Sequence, residues 1–105
     1  MQHQEEDLIE KAKAGDVKSF EILIANYKKR AFNIAYRMLG NLEDANDVTQ
    51  ESFLKIYRSI DKFKGKSSFS TWLYSIVNNT CIDFIRRNRK KTTISIDTNY
   101  DEDGY

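Results

Sequence analysis

Apolar residues recur along this chain at intervals of three and four, the period of a helix with one buried side. Four such stretches can be read. The first covers about residues 5–14 and stops at Gly15. Asp16 stands at the N-cap of the second, where a carboxylate accepts from unpaired first-turn amides. That helix runs over about 17–39, with Phe20, Leu23, Ile24, Tyr27, Ala31, Ile34, Ala35 and Met38 at helical spacing and Gly40 as its stop. Asn41 caps the third, and Glu43 and Asp44 suit the positive end of its dipole. It reaches about residue 60. After a connection at 63–68 the fourth begins near Ser68 or Phe69 and extends to about Arg89. No proline interrupts any of them. Beyond Lys91 the pattern fails: TTISIDTNYDEDGY is polar and acidic, with a weak strand-like alternation at 93–96. Long helices with short connections pack side by side. The expected fold is all-α, a compact antiparallel bundle of about four helices, with a domain at 1–91 and an acidic linker or tail at 92–105.

Two helix faces do not fit a plain bundle. At about 100° per residue, the third helix turns Leu42, Ala45, Thr49, Phe53, Ile56, Tyr57 and Ile60 toward the core. Its other side carries Glu43, Asp47, Gln50, Glu51 and Arg58 around a single leucine, Leu54. An apolar anchor with a polar rim is the pattern of a protein-binding patch, although lone surface leucines are common. The fourth helix has a core stripe of Phe69, Leu73, Ile76, Val77, Thr80 and Phe84, with Trp72 at its edge as a packing anchor. Another of its faces gathers Thr71, Ser75, Asn78, Asn79, Ile82 and Arg86. Asparagine is a poor helix former but offers both a donor and an acceptor, as reading base edges requires.

Charge sharpens the second face. The net charge of the 105 residues is only +1. Residues 54–91 nevertheless hold ten basic side chains against two acidic ones, a local +8, whereas 1–53 is −3 and 92–105 is −4. A basic stretch of this strength suits a polyanion, most often nucleic acid, or else a solvated surface. Five cations crowd Arg86, Arg87, Arg89, Lys90 and Lys91, more than a helix C-terminus needs for its dipole. In the connection, Phe63 lies among Lys62, Lys64 and Lys66, and Gly65 permits a sharp turn. Composition leaves Phe63 two readings: a stacking platform for an unpaired base, or a plug folded onto the core.

Catalysis is poorly supported. His3 is alone and Cys81 has no histidine partner. The acids Glu43, Asp44 and Asp47 lack the Glu-x-x-His pairing of a carboxylate metal centre. No metal, cofactor or enzymatic activity is expected, and a metal-dependent hydrolase ranks last among the readings. One cysteine without a partner, no apolar leader and no membrane-length segment read as a cytoplasmic protein that does not insert in membranes.

The string YRMLGNLEDANDVTQESFLKIYRSIDKFKGKSSFSTWLYSIVNNTCIDFIRR resembles region two, the promoter-melting domain, of bacterial sigma factors of the extracytoplasmic-function group. The likeness runs over about 15–91. It rests on Asp44-Ala45, the DVTQESF segment at 47–53, Phe63-Lys64-Gly65, FSTWL at 69–73, and the ending from Ile82-Asp83 to Arg86-Arg87. The resemblance implies a non-catalytic subunit of RNA polymerase. It implies that Asp44, Asp47, Gln50, Glu51, Leu54 and Arg58 meet a coiled coil of the largest polymerase subunit. Phe63, Lys64, Lys66, Ser68, Thr71, Ser75, Asn78, Asn79, Arg86 and Arg87 would bind the non-template single strand of the promoter minus-ten element. Phe63 and Asn79 would line a pocket for an unstacked base, with Phe63 facing DNA. It also leaves room for an anti-sigma protein over the same faces, and makes 92–105 the start of a linker to a second domain, region four. The reading from another class is a helical protein-interaction module without specific DNA binding.

Overall fold

Local chemistry sets most of the helix ends. The computed structural model describes residues 2–96, with side chains described over 4–89. Its helices are α1 (Gln2–Lys13), α2 (Val17–Ala25), α3 (Lys28–Leu39), α4 (Leu42–Ser59) and α5 (Phe69–Ile96), with a single 3-10 turn, Ile60–Lys62, after α4. Gly40 closes α3 in the left-handed region at φ 71°, its amide donating to the Tyr36 carbonyl at 2.8 Å. The Asn41 side chain then accepts from the Asp44 amide at 2.8 Å and opens α4. Asp16 does occupy the N-cap of α2, but no side-chain cap bond forms there. Its carboxylate accepts instead from the Ser19 hydroxyl at 2.7 Å, which holds it below the ordinary carboxylate range.

The all-α expectation holds, with corrections. The helix expected over 17–39 is two, separated at Asn26 and Tyr27. The Tyr27 amide turns back to the Ile24 carbonyl at 2.8 Å. Its ring meets Phe69 and Tyr74 of α5 edge-on, at centroid separations of 5.6 and 5.9 Å. Its hydroxyl donates to Glu5 of α1. Packing of one aromatic thus overrides an unbroken apolar period. At the other end, α5 continues through Ile96, so residues 92–96 are helical rather than strand-like. The rest of the expected tail, 97–105, lies outside the described residues.

α3 packs on α4 and α5, α4 on α5, and α1 on α2 and the 3-10 turn. Leu23, Ala31, Ala35, Ala45, Val48, Ile56, Leu73, Val77 and Cys81 are wholly covered. Each large aliphatic among them contributes about 1.5–3 kcal/mol of hydrophobic stabilisation. The core side of α4 is rotated from the expected one. Val48 and Ser52 are buried, with the Ser52 hydroxyl donating to the Val48 carbonyl at 2.7 Å. Leu42 is 62% exposed and Tyr57 42% exposed, though Tyr57 keeps an edge contact on Phe20 at 5.0 Å. The core stripe of α5 is as expected at Phe69, Leu73, Val77 and Thr80, and gains Cys81, whose thiol pKa burial pushes up.

Candidate functional site

The exposed face of α5 is built by its register. Thr71, Ser75, Asn78, Asn79, Ile82 and Arg86 are all exposed and share the side opposite Leu73, Val77 and Thr80. Asn79 follows Trp72 by seven positions, two turns along one stripe. The two asparagine amides therefore stand in solvent on a helix whose other side is core. The Ser75 hydroxyl donates to the Trp72 carbonyl at 2.8 Å.

The loop before this helix is organised differently from the expectation. Phe63 is only 8% exposed. Its ring lies 5.5 Å from that of Phe69 and 5.2 Å from that of Trp72. The aromatic expected to face DNA is thus the core plug, because the chain leaving the 3-10 turn brings it over two rings already gathered at the start of α5. Lys64, Lys66, Ser67 and Ser68 are exposed, and Gly65 takes φ 76°, a conformation costly for any residue with a Cβ. Ser68 caps α5: its hydroxyl oxygen accepts from the Thr71 amide at 3.1 Å and donates to the Thr71 hydroxyl at 2.9 Å. The hydroxyls expected at the site at 68 and 71 therefore serve the helix start first.

Arg86 and Arg87 part company. Arg86 stays on the asparagine face; Arg87, about 100° further round, turns to α4. There its guanidinium lies 3.7 Å from Glu51, which also meets Lys55 at 3.6 Å. Glu51 is consequently an edge residue of the α4–α5 seam. Asp47, Gln50, Leu54 and Arg58 form the exposed outer side of α4 as expected, with Leu54 53% exposed. Asp44 stands apart from them: half-buried, it lines a pocket of about 320 Å³ with Met38, Leu39 and Phe84.

Leu54 is also not isolated. It borders an open groove of about 670 Å³ between α4 and the α2–α3 corner, with Ile24, Phe32 and Phe53 as its apolar lining and Lys28 and Lys29 beside them. Sequence reasoning missed this wall because it passed an unbroken helix through 26–27. The basic run at 28–30, directly after Asn26-Tyr27, was the available signal. Among the described residues no group of three His, Cys, Asp or Glu could hold a metal ion, and no helix is long and apolar enough to cross a membrane.

The sequence model of the Sigma-70 region 2 family matches residues 23–91, which take in the groove, the outer side of α4, the loop and the asparagine face. The chain belongs to the Sigma-70 region 2 family. Members of this family are transcription initiation factors rather than enzymes. The region 2 chain is 42% identical over 81 residues to the ECF RNA polymerase sigma factor SigW of Bacillus subtilis, covering 77% of this chain and 43% of that protein. It is 38% identical over 79 residues to the RNA polymerase sigma-H factor of Pseudomonas aeruginosa, covering 75% and 41%. The chain thus spans about two fifths of the length of these curated relatives. Among solved structures, it superposes at a TM-score of 0.77 and 33% identity on an engineered region 2 of sigmaE in complex with GTAAAA, covering 83% of this chain and 90% of that one. The region 2 fold expected from the sequence is therefore the fold observed.

Proposed function

We propose that this chain is the part of an extracytoplasmic-function sigma factor that joins polymerase to melted promoter DNA in the cytoplasm. The observation that carries the reading is an uncharged, hydrogen-bonding helix face beside a basic loop, on a fold whose solved neighbour is held with GTAAAA. Asn79 and Asn78 supply donors and acceptors to base edges of the non-template minus-ten strand. Lys64, Lys66 and Arg86 neutralise phosphates, which positions the strand without specifying it. Phe63 supports the loop from below and offers at most a ring edge to an unstacked base. Thr71 and Ser75 add polar contacts along the same face. On the other side, Asp47, Gln50, Leu54 and Arg58, together with the groove beside Leu54, dock the core enzyme, with Leu54 as the anchor. An anti-sigma protein would have to cover one or both of these surfaces.

The test is titration of the 105-residue chain with GTAAAA and scrambled single strands. Asn79→Ala is expected to weaken the preferred strand by about tenfold, one base contact, while leaving the scrambled strand almost unchanged. Equal preference in parent and variant would remove Asn79 from the site. If no single strand binds even at low salt, the protein-interaction module becomes the better reading, with the groove beside Leu54 as its surface.

A further inference from the structure

α1 lies outside the matched segment 23–91, yet one of its side chains reaches the basic loop. Lys13, half-buried at the end of α1, donates from its ammonium to the Phe63 carbonyl at 2.7 Å, across 50 positions of sequence. The helix that carries it is itself anchored, with Ile9 and Ala12 in the core and contacts to the 3-10 turn. Phe63 is thereby held at every group it has. Its amide donates to the Ile60 carbonyl at 3.0 Å, its carbonyl accepts from Lys13, and its ring rests on Phe69 and Trp72. The next anchor is the Ser68 cap; between them Lys64, Gly65, Lys66 and Ser67 are exposed. The Phe63 carbonyl and the Lys64 amide belong to one planar peptide unit. Fixing that carbonyl with a charge-assisted hydrogen bond therefore fixes the direction in which the chain leaves the core.

The geometry points to Lys13 as a positioning residue: by holding the Phe63 carbonyl, its ammonium sets how the loop presents Lys64 and Lys66 to a single-stranded nucleic acid. This role rests on the reading that the loop belongs to the nucleic-acid surface. A lysine that merely touched phosphate would act through its charge and through salt. A lysine that positions the loop acts through geometry, and its removal leaves the number of neutralised phosphates unchanged.

The full chain serves for the test, as Lys13→Met and Lys13→Arg. Methionine keeps an apolar stem and removes donor and charge; arginine keeps both. Trp72 is the single tryptophan and lies against Phe63, so its emission reports the loop. Lys13→Met is expected to change Trp72 emission and its quenching by acrylamide while the helical circular dichroism is retained. It should weaken binding of a GTAAAA oligodeoxynucleotide by about tenfold, the worth of one hydrogen bond to a charged group. The slope of log affinity against log salt should not change, and Lys13→Arg should restore both signals. A slope shallower by about 0.7 would make Lys13 a phosphate contact and overturn the positioning role. Unaltered Trp72 emission and affinity would overturn it as well, as would a lowered melting temperature with affinity intact. If Asn79→Ala weakens binding and Lys13→Met does not, only the role of Lys13 falls. If neither variant affects binding, the nucleic-acid reading falls and takes this role with it.

Discussion

Removing the Phe63 ring would empty the space it fills against Phe69 and Trp72. Phe63→Ala is therefore expected to cost about 3 kcal/mol of stability, measured by urea unfolding. Loss of binding in that variant would mix unfolding with lost contacts, which makes Asn79→Ala the cleaner probe. Asn79 is exposed, and alanine is the better helix former, so its melting temperature should hold or rise slightly. Leu54→Asp belongs to the same class of surface change. It should leave the thermal melt within about 0.5 kcal/mol of the parent and abolish pull-down of polymerase core. Retained pull-down would move the docking site elsewhere. At this scale the outward side chains of α4 and α5 were largely legible, because helical spacing alone sorts them. The burial of Phe63 was not, because its covering depends on two rings from a later helix.

Helix ends repeat the contrast. Gly40 and Asn41 could be read directly, since a left-handed stop and an N-cap act within a few residues. The break at Asn26 and Tyr27 could not, because Phe20, Leu23, Ile24, Tyr27 and Ala31 keep the period through it. The core side of α4 was misjudged for a related reason. Spacing gives the width of an apolar stripe, whereas its centre is set by the neighbours, here α3 and α5. Tyr27 also lends this level a pH dependence. Burial, then its hydrogen bond to Glu5, raises its pKa above the ordinary 10.0. The neutral phenol is favoured in the folded chain, so this contribution is complete below pH 10.0 and is lost as pH rises toward the folded value. Tyr27→Phe should flatten that part of the alkaline fall in melting temperature. Parallel curves for parent and variant would remove Tyr27 as a source of it.

At the scale of the molecule, the two outward surfaces share one frame. Glu51 and Arg87 close the seam between the helix that carries Leu54 and the helix that carries Asn79, at 3.7 Å. The pair is partly exposed, so its own energetic contribution is small. What remained hidden in the sequence was this kind of cross-helix arrangement, together with the groove wall from α2 and α3. The first has no local signature, and the second leaves only the basic run at 28–30.

The attachment of α1 bears on how the protein can be cut. The family match begins at residue 23, but Ile9, Ala12 and Phe20 are part of the core, and Glu5 bonds to Tyr27. A gene trimmed to 23–91 would encode every residue proposed to touch DNA but would drop α1 and most of α2, Phe20 included, and so uncover the side of the 3-10 turn on which α1 packs. That product is expected to melt earlier and less cooperatively than the 105-residue chain by calorimetry; an identical melt would make the first helix dispensable. Expression boundaries drawn from the family outline alone would thus remove a wall of the building with the porch.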